Sequence, residues 1–313
     1  MVFSLKSFLP TLMALATSTV SPVNLSKADL VARYPVLAVA AALFLGVGLV
    51  CDVYLLFRLS RCARASTTDA AEPLLRVEPK PWSIRDVLSA ASAVVLLFAV
   101  CNSVLALGLK FAQIDETRST PWFLALEMLL CGVTLVGMAV FFRQRRTDWK
   151  QAVGFRRNSS RHALVFGGML FLAVLPPLTA VSVLYDKLCQ LAGIDDTPQP
   201  VVDLLVTSDS LIVTGLIIAF AVAVAPVFEE FLFRGFAYPA LKQRWGPWKA
   251  LTIVSAVFAL VHLHVPSMGP LFALALGLGL AYELTGSLLA PVTMHALFNT
   301  ANVAMVLYVR AHS

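Results

Sequence analysis

Charge is what this chain has least of. Lysine, arginine, aspartate and glutamate make up 13% of its 313 residues, about half the share usual in a soluble domain. Apolar residues fill 59% of the chain and the mean hydropathy is +0.82. So few charges cannot cover the surface in water, which excludes an ordinary soluble fold and makes lipid the solvent. Cysteine is scarce as well. Cys51, Cys62, Cys101, Cys131 and Cys189 are odd in number and scattered, with no Cys-x2-Cys pair. That excludes a disulfide framework and leaves packing as their role. No His-Glu-x2-His segment is present, so the zincin helix is absent. No internal repeat stands out, which weakens an inverted-repeat transporter. The net charge of +6 has no basic stripe outside the loops between spans. Nucleic acid is therefore not an expected partner.

What the chain does have is long apolar runs. A spanning helix needs roughly 17–25 mostly apolar residues, and such runs lie near 35–57, 87–109, 121–142, 163–185, 212–241, 249–265, 268–285 and 287–309. The expected fold is all-α, a polytopic membrane protein of about eight transmembrane helices. The last four to five spans should form a core bundle, because their connections are very short. The run Phe8–Ala16 is too short to cross and reads as interfacial or weakly signal-like.

Basic residues alternate between connections. The stretches 58–86, 143–161 and 234–249 hold six, seven and four lysines and arginines, and the opposite 186–211 connection is acidic. The positive-inside rule then puts the basic loops in the cytoplasm and both termini outside. The expected location is an integral multi-pass membrane, the cell membrane for a prokaryotic chain. The chain divides into an N-terminal region, 1–160, with three spans and basic loops, and a second region, 161–313, whose motifs fall within 205–305. Inside the first region Asp52 and Asn102 read as helix-packing or near-interface groups, and Glu127 as a side chain reaching the outer interface.

Polar side chains in hydrocarbon are costly, so each needs a partner or a task. The second region concentrates them: Glu229-Glu230-x3-Arg234, Phe258-x3-His262 and His295-x3-Asn299. Residues four apart share a helix face. Glu230 and Arg234 should therefore pair, leaving Glu229 as the carboxylate available for chemistry, while His295 and Asn299 should face one cavity. Phe258 shares the face of His262 and reads as packing, and His264 has no expected role. Glu229 and His262 each lie 13 residues from a lysine of the cytoplasmic turn Lys242–Lys249, roughly 20 Å into the membrane. Three helices thus bring polar groups to one layer. A buried carboxylate can serve as a general base, so the set suits hydrolysis by a Glu229/His262-activated water, with His295 and Asn299 stabilising an oxyanion. Two other readings stay open: a non-catalytic membrane scaffold, and a proton-coupled transporter, since buried Glu and His also relay protons.

The three motifs, in this order on successive helices, resemble the CPBP family (CAAX protease and bacteriocin-processing, or Abi) of intramembrane proteases, over about residues 205–305. The stretch Glu283–Pro291 before the last motif is similar to the family's lead-in. The resemblance implies an eight-helix fold and an intramembrane endopeptidase acting on a membrane-associated, in some members prenylated, protein or peptide. It implies water activation by Glu229 and His262 and an oxyanion site at His295 and Asn299, with Glu230 and Arg234 in support. Some members act in bacteriocin immunity instead. The cofactor stays open: members are often labelled metalloproteases, and Glu229, His262 and His295 is the set that could ligate zinc.

Overall fold

The computed structural model describes residues 35–65, 77–114, 116–148, 154, 160–194 and 199–312. The Phe8–Ala16 run lies outside them. Among the described residues the regular elements are all helical: α1 Pro35–Ala65, α2 Ile84–Phe111, α3 Glu116–Gln144, α4 Ser160–Leu191, α5 Pro200–Thr207, α6 Leu211–Trp245, α7 Pro247–Leu260, α8 Met268–Thr285 and α9 Leu289–His312. Seven are long and apolar enough to cross a membrane, and α7 is not. The expected span at 249–265 is thus corrected to a helix of 14 residues. At 1.5 Å per residue it is about 21 Å long, short of the roughly 30 Å of hydrocarbon. It opens at Gly246, whose φ of 78° suits glycine, with Pro247 in its first turn. It stops because Leu263 turns to a φ of 49°, so His262 lies in the turn beyond the helix and not on it.

Burial grades across the bundle. About half of α8 and α9 is buried, whereas the most apolar stretch of α2 has only half-buried and exposed residues. Large apolar side chains such as Leu43, Val50, Val95, Leu96 and Val165 are exposed on the outer helices. Lipid is what covers such a surface. The centre is built from α4, α8 and α9 around Leu175, Leu178, Leu274, Leu278, Met294 and Phe298. A second cluster joins Trp82, Phe142, Phe236, Tyr238, Val254 and Tyr282.

Two turns and one extended strap meet at one end of the bundle. Gly286, with a φ of 65°, caps α8, and Gly246 joins α6 to α7. The strap is Val77–Ser83, kept out of helix by Pro79 and Pro81. It is bound across α6 and α8: Lys242 Nζ donates to Val77 O (2.9 Å), Val77 N–H to Glu283 Oε2 (3.2 Å), Gln243 Nε2 to Lys80 O (2.8 Å) and Trp82 Nε1 to Phe236 O (2.9 Å). Glu283 is buried and also takes Lys242 Nζ at 2.6 Å and the hydroxyl of Tyr238. Ser83 then caps α2 with Asp86 in a capping box. These contacts put parts of the 58–86 and 234–249 stretches at the same end, as the alternation of basic loops requires.

With no hydrophobic drive between helices in lipid, close approach through small residues matters. A Cβ on Gly167 of α4 would stand 2.6 Å from Ala290 O of α9, whereas one on the adjacent Gly168 would meet only Leu297 Cδ1 at 3.9 Å. Gly167→Ala should therefore lower the detergent melting temperature, by about 1–3 kcal/mol of overpacking. Gly168→Ala should leave it unchanged or slightly raised. Equal melting temperatures for the two variants would contradict this packing.

Candidate active site

The middle of α6 is not a regular α-helix. The α-helical turn Ala225–Glu230 is flanked by π-helical segments Phe220–Val224 and Phe231–Ala237. Such segments recur at functional sites because one extra residue per turn re-aims the side chains. The local cause is in the sequence. Ala225 N–H bonds to Phe220 O, and the next residue, Pro226, has no N–H to offer Ala221 O. That carbonyl would be stranded in a dry interior. It is taken by Asn299 Nδ2 from α9 at 2.7 Å. A carbonyl only accepts, which fixes the orientation of the Asn299 amide. One of its two N–H groups is committed to α6, and among the described residues Oδ1 has no hydrogen-bond partner.

The Glu230–Arg234 pair forms as the spacing requires. Arg234 Nη1 is 3.0 Å from Glu230 Oε1, both side chains are essentially fully buried, and Arg234 Nη2 donates to Ala275 O of α8 at 2.9 Å. The guanidinium also lies 4.7 Å over the Phe258 ring. Phe258 packs in turn against His262 (centroids 4.9 Å apart) and His295 (6.0 Å). It is the apolar floor on which the cation and both imidazoles rest.

His295 joins the two carboxylates. Its Nδ1 donates to Glu230 Oε1 at 2.9 Å, and its Nε2 stands 3.9 Å from Glu229 Oε2. Glu230 therefore does more than hold Arg234: it orients the imidazole so that its second nitrogen faces Glu229. This was not legible from i,i+4 spacing, because the contact joins α6 to α9 across 65 residues. His262 is half-buried in the turn after α7. Its Nδ1–H donates to Phe258 O at 2.6 Å, which leaves Nε2 as the lone-pair nitrogen, without a hydrogen-bond partner among the described residues. Irregular backbone at membrane depth is tolerated where it is buried in protein or lines a wet cavity, and the turn at His262 sits beside such a polar cluster. His264 lies apart, against Ser267, which also accepts from Gln199 Nε2 at 3.2 Å.

Donors bound to one zinc ion lie about 2.0–2.2 Å from it. Among the described residues no three His, Cys, Asp or Glu side chains are close enough to hold one ion. As arranged, Glu229, His262 and His295 do not fit a metal. What the arrangement offers is a carboxylate beside an imidazole whose far side is fixed by a second carboxylate, itself neutralised by arginine. Of the other intramembrane groups, Glu127 is half-buried and accepts a hydrogen bond from Asn102 of α2.

Neither a curated protein nor a solved structure matches the chain. One family model does: that described as Rce1-like, type II CAAX prenyl endopeptidase Rce1-like, over residues 212–301. The matched stretch runs from the start of α6 into α9 and includes Glu229, Glu230, Arg234, Phe258, His262, His295 and Asn299. The resemblance read from the three motifs is thus borne out for residues 212–301, which are similar to the Rce1-like type II CAAX prenyl endopeptidases.

Proposed function

We propose that this protein is an intramembrane endopeptidase that hydrolyses a peptide bond of a membrane-associated protein, lipidated chains among its candidate substrates. The family match supports a membrane protease in general. The observation that carries the finer reading is the setting of His295, with Nδ1 on Glu230 at 2.9 Å and Nε2 at 3.9 Å from Glu229. Two adjacent carboxylates thereby differ in role. Glu230 holds Arg234 and His295 Nδ1, and Glu229 faces His295 Nε2.

In this reading Glu229 takes a proton from a water molecule, with His262 Nε2 holding that water by its lone pair. The water oxygen bonds to the peptide carbonyl carbon and gives a tetrahedral oxyanion. His295, through Nε2, and the N–H of Asn299 not used by Ala221 O donate hydrogen bonds to that oxygen. Collapse breaks the carbon–nitrogen bond, and Glu229 returns the proton to the leaving amine. The donors cost no reorganisation at that moment, because Glu230 and Ala221 O already fix them.

Purified protein in proteoliposomes, given a quenched peptide in lipidated and unlipidated forms, tests this. Glu229→Ala and His262→Ala should each lower kcat by about 10²–10⁴-fold, the range of positioned acid–base groups. Retained activity in both variants, or stoichiometric zinc whose removal abolishes cleavage, would overturn the reading. Asn299→Ala should lower kcat by about 10²–10³-fold with KM little changed, the signature of an interaction made in the transition state. A rise in KM at constant kcat would instead make Asn299 a substrate-binding residue.

A further inference from the structure

Residues 35–148 lie outside the family match, yet α2 and α3 carry a polar pair inside the membrane. Asn102 Nδ2 donates to Glu127 Oε1 at 2.9 Å and to Phe98 O of its own helix at 3.0 Å. Both residues are half-buried. A carboxylate at this depth is costly and is kept where it has a partner and a task. The Asn102 amide is fully engaged: one N–H holds its own helix and the other crosses to α3, tying the two into a hairpin.

The hairpin touches the reactive part of α6 one turn from that pair. The Phe98 ring, whose residue supplies the carbonyl for Asn102, stacks on Phe228 with centroids 6.1 Å apart, and Phe228 directly precedes Glu229. Cys131, one turn after Glu127, is buried against Phe220 and Ala225 together with Met128 and Val224. Those residues form the first π segment and its exit, where α6 has lost regular hydrogen bonds to Pro226. From the opposite side α9 holds the same turn through Asn299. A helix weakened in this way is placed by what packs around it, and on the α2–α3 side the packing is set by the Asn102–Glu127 bond.

The geometry points to Asn102 and Glu127 as positioning residues that clamp the α2–α3 hairpin onto the π segment of α6 and so set the register of Glu229. The assignment rests on the endopeptidase reading for its kinetic consequence, but the clamp itself has a readout that does not. Cys131 is 1% exposed, so its alkylation by N-ethylmaleimide in micelles, followed by peptide mass spectrometry, reports how tightly the hairpin lies on α6.

Glu127→Ala should raise the alkylation rate of Cys131 roughly tenfold. It should lower kcat on the quenched peptide, per folded protein, roughly tenfold with KM within about threefold. Glu127→Gln, whose amide oxygen still accepts from Asn102, should stay near wild type in both. Unchanged alkylation in Glu127→Ala, or equal damage in Glu127→Ala and Glu127→Gln, would overturn the clamp. Faster alkylation at unchanged kcat would overturn its link to Glu229. If wild type cleaves no peptide, the endopeptidase reading fails, while the Cys131 rates still decide the clamp.

Discussion

The polar side chains of the candidate site are arranged around one buried ion pair, Glu230 with Arg234. Removing two charges from water costs several kcal/mol per ion, and attraction between them offsets this only when the remaining donors and acceptors are satisfied. Partners here are drawn from three other helices, while Glu230 Oε2 takes no hydrogen bond among the described residues. Ala275 O of α8 takes one guanidinium nitrogen, His295 of α9 shares the Glu230 oxygen, and the Phe258 ring of α7 lies against the flat face of the cation. The pair thus fixes the mutual placement of α6, α7, α8 and α9. Breaking it would leave a bare charge in hydrocarbon.

The same economy governs the backbone of α6. A proline one turn before the paired carboxylates removes a hydrogen bond, the helix widens into π geometry, and a side chain from α9 closes the gap at Ala221 O. The distortion and the site are one feature. Glu229 projects from the short α-helical turn between two π segments; the bond that repairs the helix also orients Asn299, and Glu230 of the same turn orients His295. At the strap end Trp82 does for Phe236 O what Asn299 does for Ala221 O, and Glu283 ties the strap to α6 and α8.

Much of this is legible in the sequence. Hydrophobic runs give the long helices, because each must match the bilayer thickness. The i,i+4 rule finds Glu230 with Arg234, and the scarcity of intramembrane charge makes Glu229, His262, His295 and Asn299 stand out. The rest depends on distances that sequence spacing does not carry. An apolar run of ordinary composition at 249–265 reads as a span, and only the backbone reversal at Leu263 makes α7 short. Pro226 signals a break but not which carbonyl is stranded or which side chain repairs it. Glu127 reads as an interface residue because its partner, Asn102, lies on a neighbouring helix at no fixed sequence interval. The second bond of Glu230, to His295, is hidden for the same reason. The gain from the structure is therefore less in which residues matter than in how the two adjacent glutamates divide their work.

That division is the centre of the account, and one comparison tests it directly. Cleavage of the quenched peptide is measured for Glu229→Gln and Glu230→Gln side by side, each normalised to its folded fraction. Glutamine removes the charge of either residue while keeping an oxygen that accepts hydrogen bonds. If Glu229 is the base and Glu230 orients His295 and neutralises Arg234, folded Glu230→Gln protein should retain at least about a hundredfold more turnover than Glu229→Gln. Its own defect should fall mainly on thermal stability. Equal turnover in the two variants, or the greater loss in Glu230→Gln, would contradict the account.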